Sequence, residues 1–408
     1  INALPGEQWL GAVGIGTNRN SPNNIGVVPI RFNRNNIAAP QTLPLANGKS
    51  HKLALGGNSA HDRMFIDIPA GVTALNVVAQ GNGSTQNNAL KIELFREDFN
   101  SALSTPPFAQ LPGGLAVLAT ASGSGGNGPA ITLGGPVSPG RYFVRLSNTS
   151  SNPAAASVVA TASSSASSLN PHRGPWEYDR RISQGTEWNR VGPNNFTLWY
   201  TYDESGQPTW FIASGPAVTG NIWTADLLYF TNDGNQQQGK RVGQITVSFI
   251  SDDVMVFSYS MLGQSGFDPM HPLGPNTCPV ISGSPKSYTG SWYRGVDGLG
   301  GATVMVFQSS QAQIHYLYDA SGVPRWLLAN QLNQPATAQV IPLLQFKGYC
   351  PTCNPATIAN ETVGTVSRTF TTQTSGSWTL NFTLDSPLVQ SINRTDSIVK
   401  LSDALNCE

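Results

Sequence analysis

Residues 199–210 read W-Y-T-Y-D-E-S-G-Q-P-T-W, and residues 315–326 read H-Y-L-Y-D-A-S-G-V-P-R-W. Tyr202, Asp203, Ser205, Gly206, Pro208 and Trp210 return as Tyr318, Asp319, Ser321, Gly322, Pro324 and Trp326, each 116 positions on. The same offset carries Gly174 and Trp176 to Gly290 and Trp292, and Gly185 to Gly301. It also carries Leu227, Leu228 and Phe230 to Leu343, Leu344 and Phe346. A constant offset over such a span marks two copies of one folding unit. The D-x-S-G-x-P step inside each copy is turn chemistry: an Asp or Ser side chain bonds the backbone two residues on, and Gly supplies a positive φ. Asp203 and Asp319 therefore read as turn residues, although Glu177, Asp179 and Glu187 lie near in sequence.

In the second copy, candidate strands fall at Trp292, 303–307, 313–318, 325–329, 339–346, 363–370, 378–384 and 397–401. Eight short strands joined by turns predict an up-and-down barrel or closed meander for each copy. The copies take residues 172–277 and 278–408. Past Phe346 the offset grows to 121, where Val242-Gly243 meets Val363-Gly364. The second copy has thus gained a short insertion, and the gain falls on G-Y-C-P-T-C-N-P.

Lys and Arg number 23, Asp and Glu number 23, and charged residues make up only 11 % of the chain. A balanced, weakly charged surface argues against nucleic acid or an anionic membrane as partner. It also does little to oppose self-association. Glu, Lys and Arg are scarce while Gly, Ser, Thr, Asn and Pro abound, which favours strands and turns over helices. No apolar run is long enough to span a membrane as a helix. A chain that starts at Ile1 is expected to be a processed mature form, and an even set of four cysteines fits an oxidising compartment. N-x-S/T sequons stand at Asn82, Asn148, Asn195, Asn360, Asn381 and Asn393.

Upstream of the repeats, residues 1–41 hold two apolar runs, 9–15 and 27–32, around a polar turn-rich stretch. Two strands alone make no stable sheet. Either they extend the sheet of the following domain, or they form an arm that adds to a neighbouring molecule's sheet edge. Trp9, Val27 and Ile30 are the candidate subunit contacts of such an arm. Residues 42–160 show short alternating segments at 64–68, 75–78, 89–95, 130–133 and 142–146, broken by Gly, Pro and Asn turns, which predicts a jelly-roll-like β-sandwich. The Ser/Ala-rich stretch 161–171 reads as a linker.

Three stretches of the predicted sandwich, Leu53-Ala-Leu-Gly, A-L-K-I-E-L-F at 89–95 and P-G-R-Y-F-V-R-L at 139–146, resemble the bacterial pre-peptidase C-terminal domain. That resemblance implies a secreted accessory β-sandwich. The family's acidic D-x-D step is replaced by Lys91 and Glu93 around Ile92, so no calcium site is expected there. The tandem G-x-W…Y-x-Y-D-x-x-G-x-P-x-W unit resembles an uncharacterised repeat of exported proteobacterial proteins, which implies export but no activity.

Motifs that could carry chemistry resolve into structural ones. Cys350 and Cys353, in C-P-T-C, lack the βαβ setting of a redox pair and the further ligands of a zinc site. They are expected to pair with each other, leaving Cys278 to pair with Cys407, the preferred one of three possible pairings. The stretch G-N-Q-Q-Q-G-K at 234–240 has phosphate-loop spacing but is followed by Arg241 and no helix, so it reads as a hairpin loop. His51, His61, His172, His271 and His315 show no metal-ligand spacing. Trp188, Trp199 and Trp223 stand opposite Val304, His315 and Gln339 in the other copy, which makes them candidates for ligand stacking or subunit contact, with a difference in local packing as the safer explanation.

The expectation is an all-β chain: an N-terminal arm, a jelly-roll-like sandwich and two tandem antiparallel β-barrel or meander repeats. No catalytic residue, cofactor or metal is assigned. The expected role is a non-enzymatic, secreted structural or adhesive protein that self-assembles through its arm. A polysaccharide- or matrix-binding module is the alternative, and an exported hydrolase with an undetected site the third reading.

Overall fold

The computed structural model describes residues 8–15, 17–18, 26–33, 43–97, 115–164, 169–178, 181–217, 221–233, 236–261, 264–274, 278–294, 300–332, 340–351, 353, 356–385, 388–405 and 407. It is nearly all β. The chain divides into two compact units, the first carrying the strands up to residue 164 and the second carrying both repeats.

In the first unit β1 (Gln8–Ile15) and β2 (Gly26–Asn33) pair antiparallel as a two-stranded sheet of their own. They do not extend the sandwich, which corrects the first of the two expectations for this arm. Downstream follow β3 (Leu43–Pro44), β4 (Ser50–Leu55), β5 (Ser59–Ile68), β6 (Val72–Gly81), a single turn of helix α1 (Ser84–Asn88) and β7 (Leu90–Glu97). They are completed by β8 (Val117–Ser122), β9 (Ala130–Gly134), β10 (Gly140–Asn148) and β11 (Ala154–Ser164). One sheet has the order β3-β5-β10-β7-β8 and the other β4-β11-β6-β9. Alternation sends Ile66, Ile92, Leu94 and Val144 of the first and Val77, Ala79, Val158 and Ala160 of the second into one core. The linker expected from residue 161 starts later: 161–164 still pair with β6 as the end of β11. Small polar side chains tolerate this because the pairing there is made by the backbone.

In the second unit the first repeat forms β12 (Gly174–Tyr178), β13 (Gly185–Val191), β14 (Asn194–Tyr202), β15 (Pro208–Pro216), β16 (Ile222–Asn232), β17 (Gln237–Ser251), β18 (Val254–Met261) and β19 (Gln264–Pro272). A two-residue pair, β20 (Val280–Ile281) and β21 (Ser284–Pro285), precedes the second repeat. That repeat forms β22 (Gly290–Tyr293), β23 (Gly301–Val306), β24 (Ser310–Tyr318), β25 (Pro324–Leu332), β26 (Val340–Lys347), β27 (Ala359–Phe370), β28 (Ser375–Thr383) and β29 (Ser391–Lys400). Each set of eight closes into an up-and-down antiparallel barrel, β12 meeting β19 and β22 meeting β29. Both barrels are filled by side chains. G-N-Q-Q-Q-G-K, read as a hairpin loop, lies in the β16–β17 hairpin: Gln236 is in the turn, Gln237–Lys240 already pair with β16 as the start of β17, and 234–235 lie outside the described residues.

Candidate functional site

The two signature turns form as the sequence dictates. Asp203 Oδ1 accepts from the backbone N–H groups of Ser205 and Gln207, both at 2.9 Å. Asp319 Oδ1 accepts from Ser321 and Val323 at 2.8 and 3.1 Å. Gly206 and Gly322 follow at φ 77° and 75°. What the sequence did not announce is that these turns and their strands join the barrels to each other.

The strands flanking each turn, β14–β15 and β24–β25, are buried on both faces. One face fills its own barrel. The other carries Leu198, Tyr200, Tyr202 and Trp210 from the first repeat and Ile314, Tyr316 and Trp326 from the second into one shared cluster. The joint has pseudo-two-fold symmetry, each contact recurring with the roles of the repeats exchanged. Trp210 Nε1 donates to the Leu317 carbonyl at 3.3 Å, and Trp326 Nε1 donates to the Thr201 carbonyl at 2.7 Å. Tyr200 and Tyr202 lie 5.8 and 5.6 Å from the Trp326 ring; Tyr316 and Tyr318 lie 6.0 and 5.5 Å from Trp210. Asn232 N–H donates to the Gly322 carbonyl at 2.9 Å, and Gly348 N–H to that of Gly206 at 3.0 Å.

Two charged features break this symmetry. Arg325, where the first repeat has Thr209, donates Nε to Asp319 at 2.8 Å and Nη1 to Asp203 at 2.9 Å. One guanidinium thereby holds the second carboxylate oxygen of both turn aspartates. Glu187 of β13, where the second repeat has Thr303, is wholly buried at the joint. Ser291 Oγ and Thr303 Oγ1 donate to it at 2.6 and 2.5 Å, and Asn189 Nδ2 donates as well. Burial pushes its carboxyl up to about 7, against the pull of these donors and of Lys400.

Two grooves flank the joint, related by the same pseudo-symmetry. The larger, about 640 Å³, is walled by Tyr200, Phe307, Ile314, Trp326, Leu328 and Phe346, with the exposed Glu177, Gln308 and Asn330 at its rim. The smaller, about 210 Å³, is walled by Phe196, Leu198, Trp210, Ile212 and Tyr316, with Glu187 in its floor. Ala312 on the larger groove occupies the repeat position of Phe196 on the smaller one, and that missing ring helps account for the difference in volume.

The cysteines pair as expected, Cys350 with Cys353 and Cys278 with Cys407. The C-P-T-C insertion does more than pin its own turn. Its carbonyls at Tyr349 and Pro351 accept from Gln184 Nε2 and Tyr259 Oη, at 3.1 and 3.0 Å, so a loop of the second repeat closes one end of the first barrel. The buried Arg181–Asp268 pair, 3.1 Å apart, belongs to that same barrel.

Trp188, Trp199 and Trp223, candidates for a ligand or subunit surface or else for a packing difference between the copies, are buried inside the first barrel, as the packing reading requires. Trp188 packs against Trp223 with centroids 5.0 Å apart, and Trp199 against Phe257 at 5.2 Å. In the second barrel the equivalent of the Trp199–Phe257 pair is His315–Trp378, at 5.0 Å. The bulk has changed sides of the lumen. Burial holds His315 neutral, with its pKa lowered to about 3, so it is a packing residue. Of Trp9, Val27 and Ile30 the backbone alone is described: Trp9 opposes Phe32, Ile30 opposes Gly11 and Val27 opposes Gly14. Asp179 lies outside the described residues. Among the described residues no group of three or more His, Cys, Asp or Glu converges as a metal site. Lys91 and Glu93, at the position of the acidic step, form an ion pair at 2.9 Å.

No protein-family model matches this chain, and neither does any curated protein.

Proposed function

We propose that this protein is a secreted structural component that assembles with copies of itself through the β1–β2 hairpin. The observation that carries this reading is the hairpin's isolation: a two-stranded sheet that belongs to neither sheet of the sandwich. Register puts positions 9, 11, 13 and 15 on the same face as 26, 28, 30 and 32. Those eight positions are Trp9, Gly11, Val13, Ile15, Gly26, Val28, Ile30 and Phe32, without one polar residue. A two-stranded sheet is marginal in water, and an apolar face demands cover. The two disulfides and the resemblance of the sandwich to exported accessory domains support an extracellular setting. Negative-stain microscopy of the whole chain beside a chain starting at Leu43 tests this. Regular assemblies that vanish with the truncation are expected; separate particles in both samples would refute it.

A second reading, a polysaccharide- or matrix-binding module, is favoured by the larger groove, whose aromatic and aliphatic walls and Gln/Asn rim suit an amphipathic polymer. It predicts binding that survives loss of residues 1–41 and fails on Phe307→Ala.

A further inference from the structure

A hairpin that donates strands requires an edge that accepts them, and among the described residues the fold leaves few. Closed barrels have no edges. The β20–β21 pair has two residues per strand and contains Pro285. In the sandwich, β3 is two residues long and ends in Pro44, and β4 carries Lys52. The edge strand β8 is interrupted by a bulge at Leu118, where the register against β7 shifts. Short length, proline, lysine and bulges are the devices that blunt sheet edges against foreign strands.

The remaining edge among the described residues, β9, is short at five residues but has no proline, lysine or bulge. Its five residues, A-I-T-L-G, contain no charge and no proline, and they pair with β6 in unbroken register. Just before it, Ala79 N–H donates to the Pro129 carbonyl. Hydrogen-bonded and non-bonded positions alternate along an antiparallel pair, so Ile131 and Leu133 direct their backbone groups to β6. Ala130, Thr132 and Gly134 direct theirs outward, and all three residues are exposed.

The hairpin offers a matching donor. Pro29 interrupts the N–H row of β2. Strand β1, Q-W-L-G-A-V-G-I, has every N–H and no charged side chain. We infer that β1 of one molecule pairs along β9 of a second copy, extending its four-stranded sheet by the incoming hairpin. This rests on the self-assembly reading above and adds the acceptor to it.

The test compares assembly of the full-length protein by light scattering and microscopy with that of Thr132→Pro and Thr132→Lys, and of Thr120→Pro and Thr120→Lys on β8. The Thr132 variants are expected to need at least tenfold more protein to assemble, with thermal midpoints close to the parent's, while the Thr120 variants assemble as the parent does. A second measurement does not depend on tolerance of proline. Ala12→Cys and Thr132→Cys proteins, each with one unpaired thiol, are treated with a short bismaleimide singly and mixed. A covalent dimer is expected in the mixture in excess of either protein alone. Assembly of both Thr132 variants at the parental concentration, or no excess of dimer in the mixture, would overturn β9 as acceptor while leaving assembly itself standing. A parent protein that stays monomeric would overturn both.

Discussion

Trp326 of the second barrel donates its indole N–H to the Thr201 carbonyl of the first, 2.7 Å away, inside a cluster that excludes water. The partner bond, from Trp210 to Leu317, is longer at 3.3 Å. Removing a donor from a carbonyl that keeps its bond to the neighbouring strand costs the net worth of one hydrogen bond, about 0.5–1.5 kcal/mol. Trp326→Phe keeps most of the ring contact with Tyr200 and Tyr202 and removes the donor. It should lower unfolding free energy in urea by about that amount, and Trp210→Phe by less. Equal losses would mean that ring volume, not the bond, holds this joint.

Gly322 combines a φ of 75° with a site where an added Cβ would meet the Asn232 carbonyl at 1.7 Å. Gly192 has a φ of 57° and open space around it. Alanine at 192 pays only for the left-handed backbone, about 1 kcal/mol. At 322 it must also push β16 away from the turn and break the Asn232–Gly322 bond, so a cost of about 3 kcal/mol or more is expected. Denaturant midpoints of the two variants decide the matter; similar values would show that the joint yields easily.

Arg325→Met leaves Asp203 and Asp319 without their shared counter-charge. Removing one partner of a buried pair costs about 3–5 kcal/mol, and the partly exposed Asp203 argues for the lower end. Restoring stability by Asp203→Asn in the Arg325→Met background would show that carboxylate repulsion carries part of the loss. If the second change added further damage instead, the turn bonds of Asp203 Oδ1 would be the larger contribution.

Glu187 makes stability at the joint depend on pH in a defined sense. Its ordinary value of 4.5 is raised to about 7 by burial, so the folded state holds a proton that the unfolded chain has lost. The contribution is full below 4.5 and is lost as pH rises through about 7, at about 1.4 kcal/mol per pKa unit, or about 3 kcal/mol. Lys400 faces it from β29, and the hydroxyls of Tyr200 and Tyr316 from β14 and β24. Burial lowers Lys400 from 10.5 to about 8, which adds stability only as pH climbs from 8 towards 10.5. His315 acts oppositely to Glu187: lowered from 6.5 to about 3, it loses stability as pH falls through that interval. Glu187→Gln isolates the first effect. Relative to the parent it should gain about 3 kcal/mol between pH 4.5 and 7.5 in urea unfolding. A difference that does not change with pH would show that Glu187 is not protonated in the folded protein at the lower pH.

The duplication, the eight-strand count, the turn role of the aspartates and the cysteine pairing were legible because each rests on local spacing. The joint was not. In β14 the residues Leu198, Trp199, Tyr200 and Thr201 are all buried, so no polar alternation tells the lumen face from the joint face. Trp199 fills the barrel while Tyr200 crosses to the neighbour, yet both read as core. The unshared tryptophans were legible as a packing difference but not as to where they pack: a ring absent from the other copy marks a lumen packed differently, as the exchange of Trp199–Phe257 for His315–Trp378 shows. Glu187 gave no signal at all, because its partners Ser291 and Thr303 stand more than a hundred residues away.

The two disulfides should separate global from local stability. Cys278 and Cys407 close a loop of 129 residues, for which chain entropy in the unfolded state gives about 5 kcal/mol. Replacing both by Ser should lower the denaturant midpoint of the whole second unit. Cys350 and Cys353 close only three residues, so their entropic share is far smaller. Their loop, however, supplies the Tyr349 and Pro351 carbonyls that Gln184 and Tyr259 of the first barrel bond. Cys350→Ser with Cys353→Ser should therefore quicken hydrogen exchange near β13 and β18, in a barrel that contains no cysteine, with a small change in global stability. Faster exchange confined to the second barrel would show that the loop closes the first barrel without needing its disulfide.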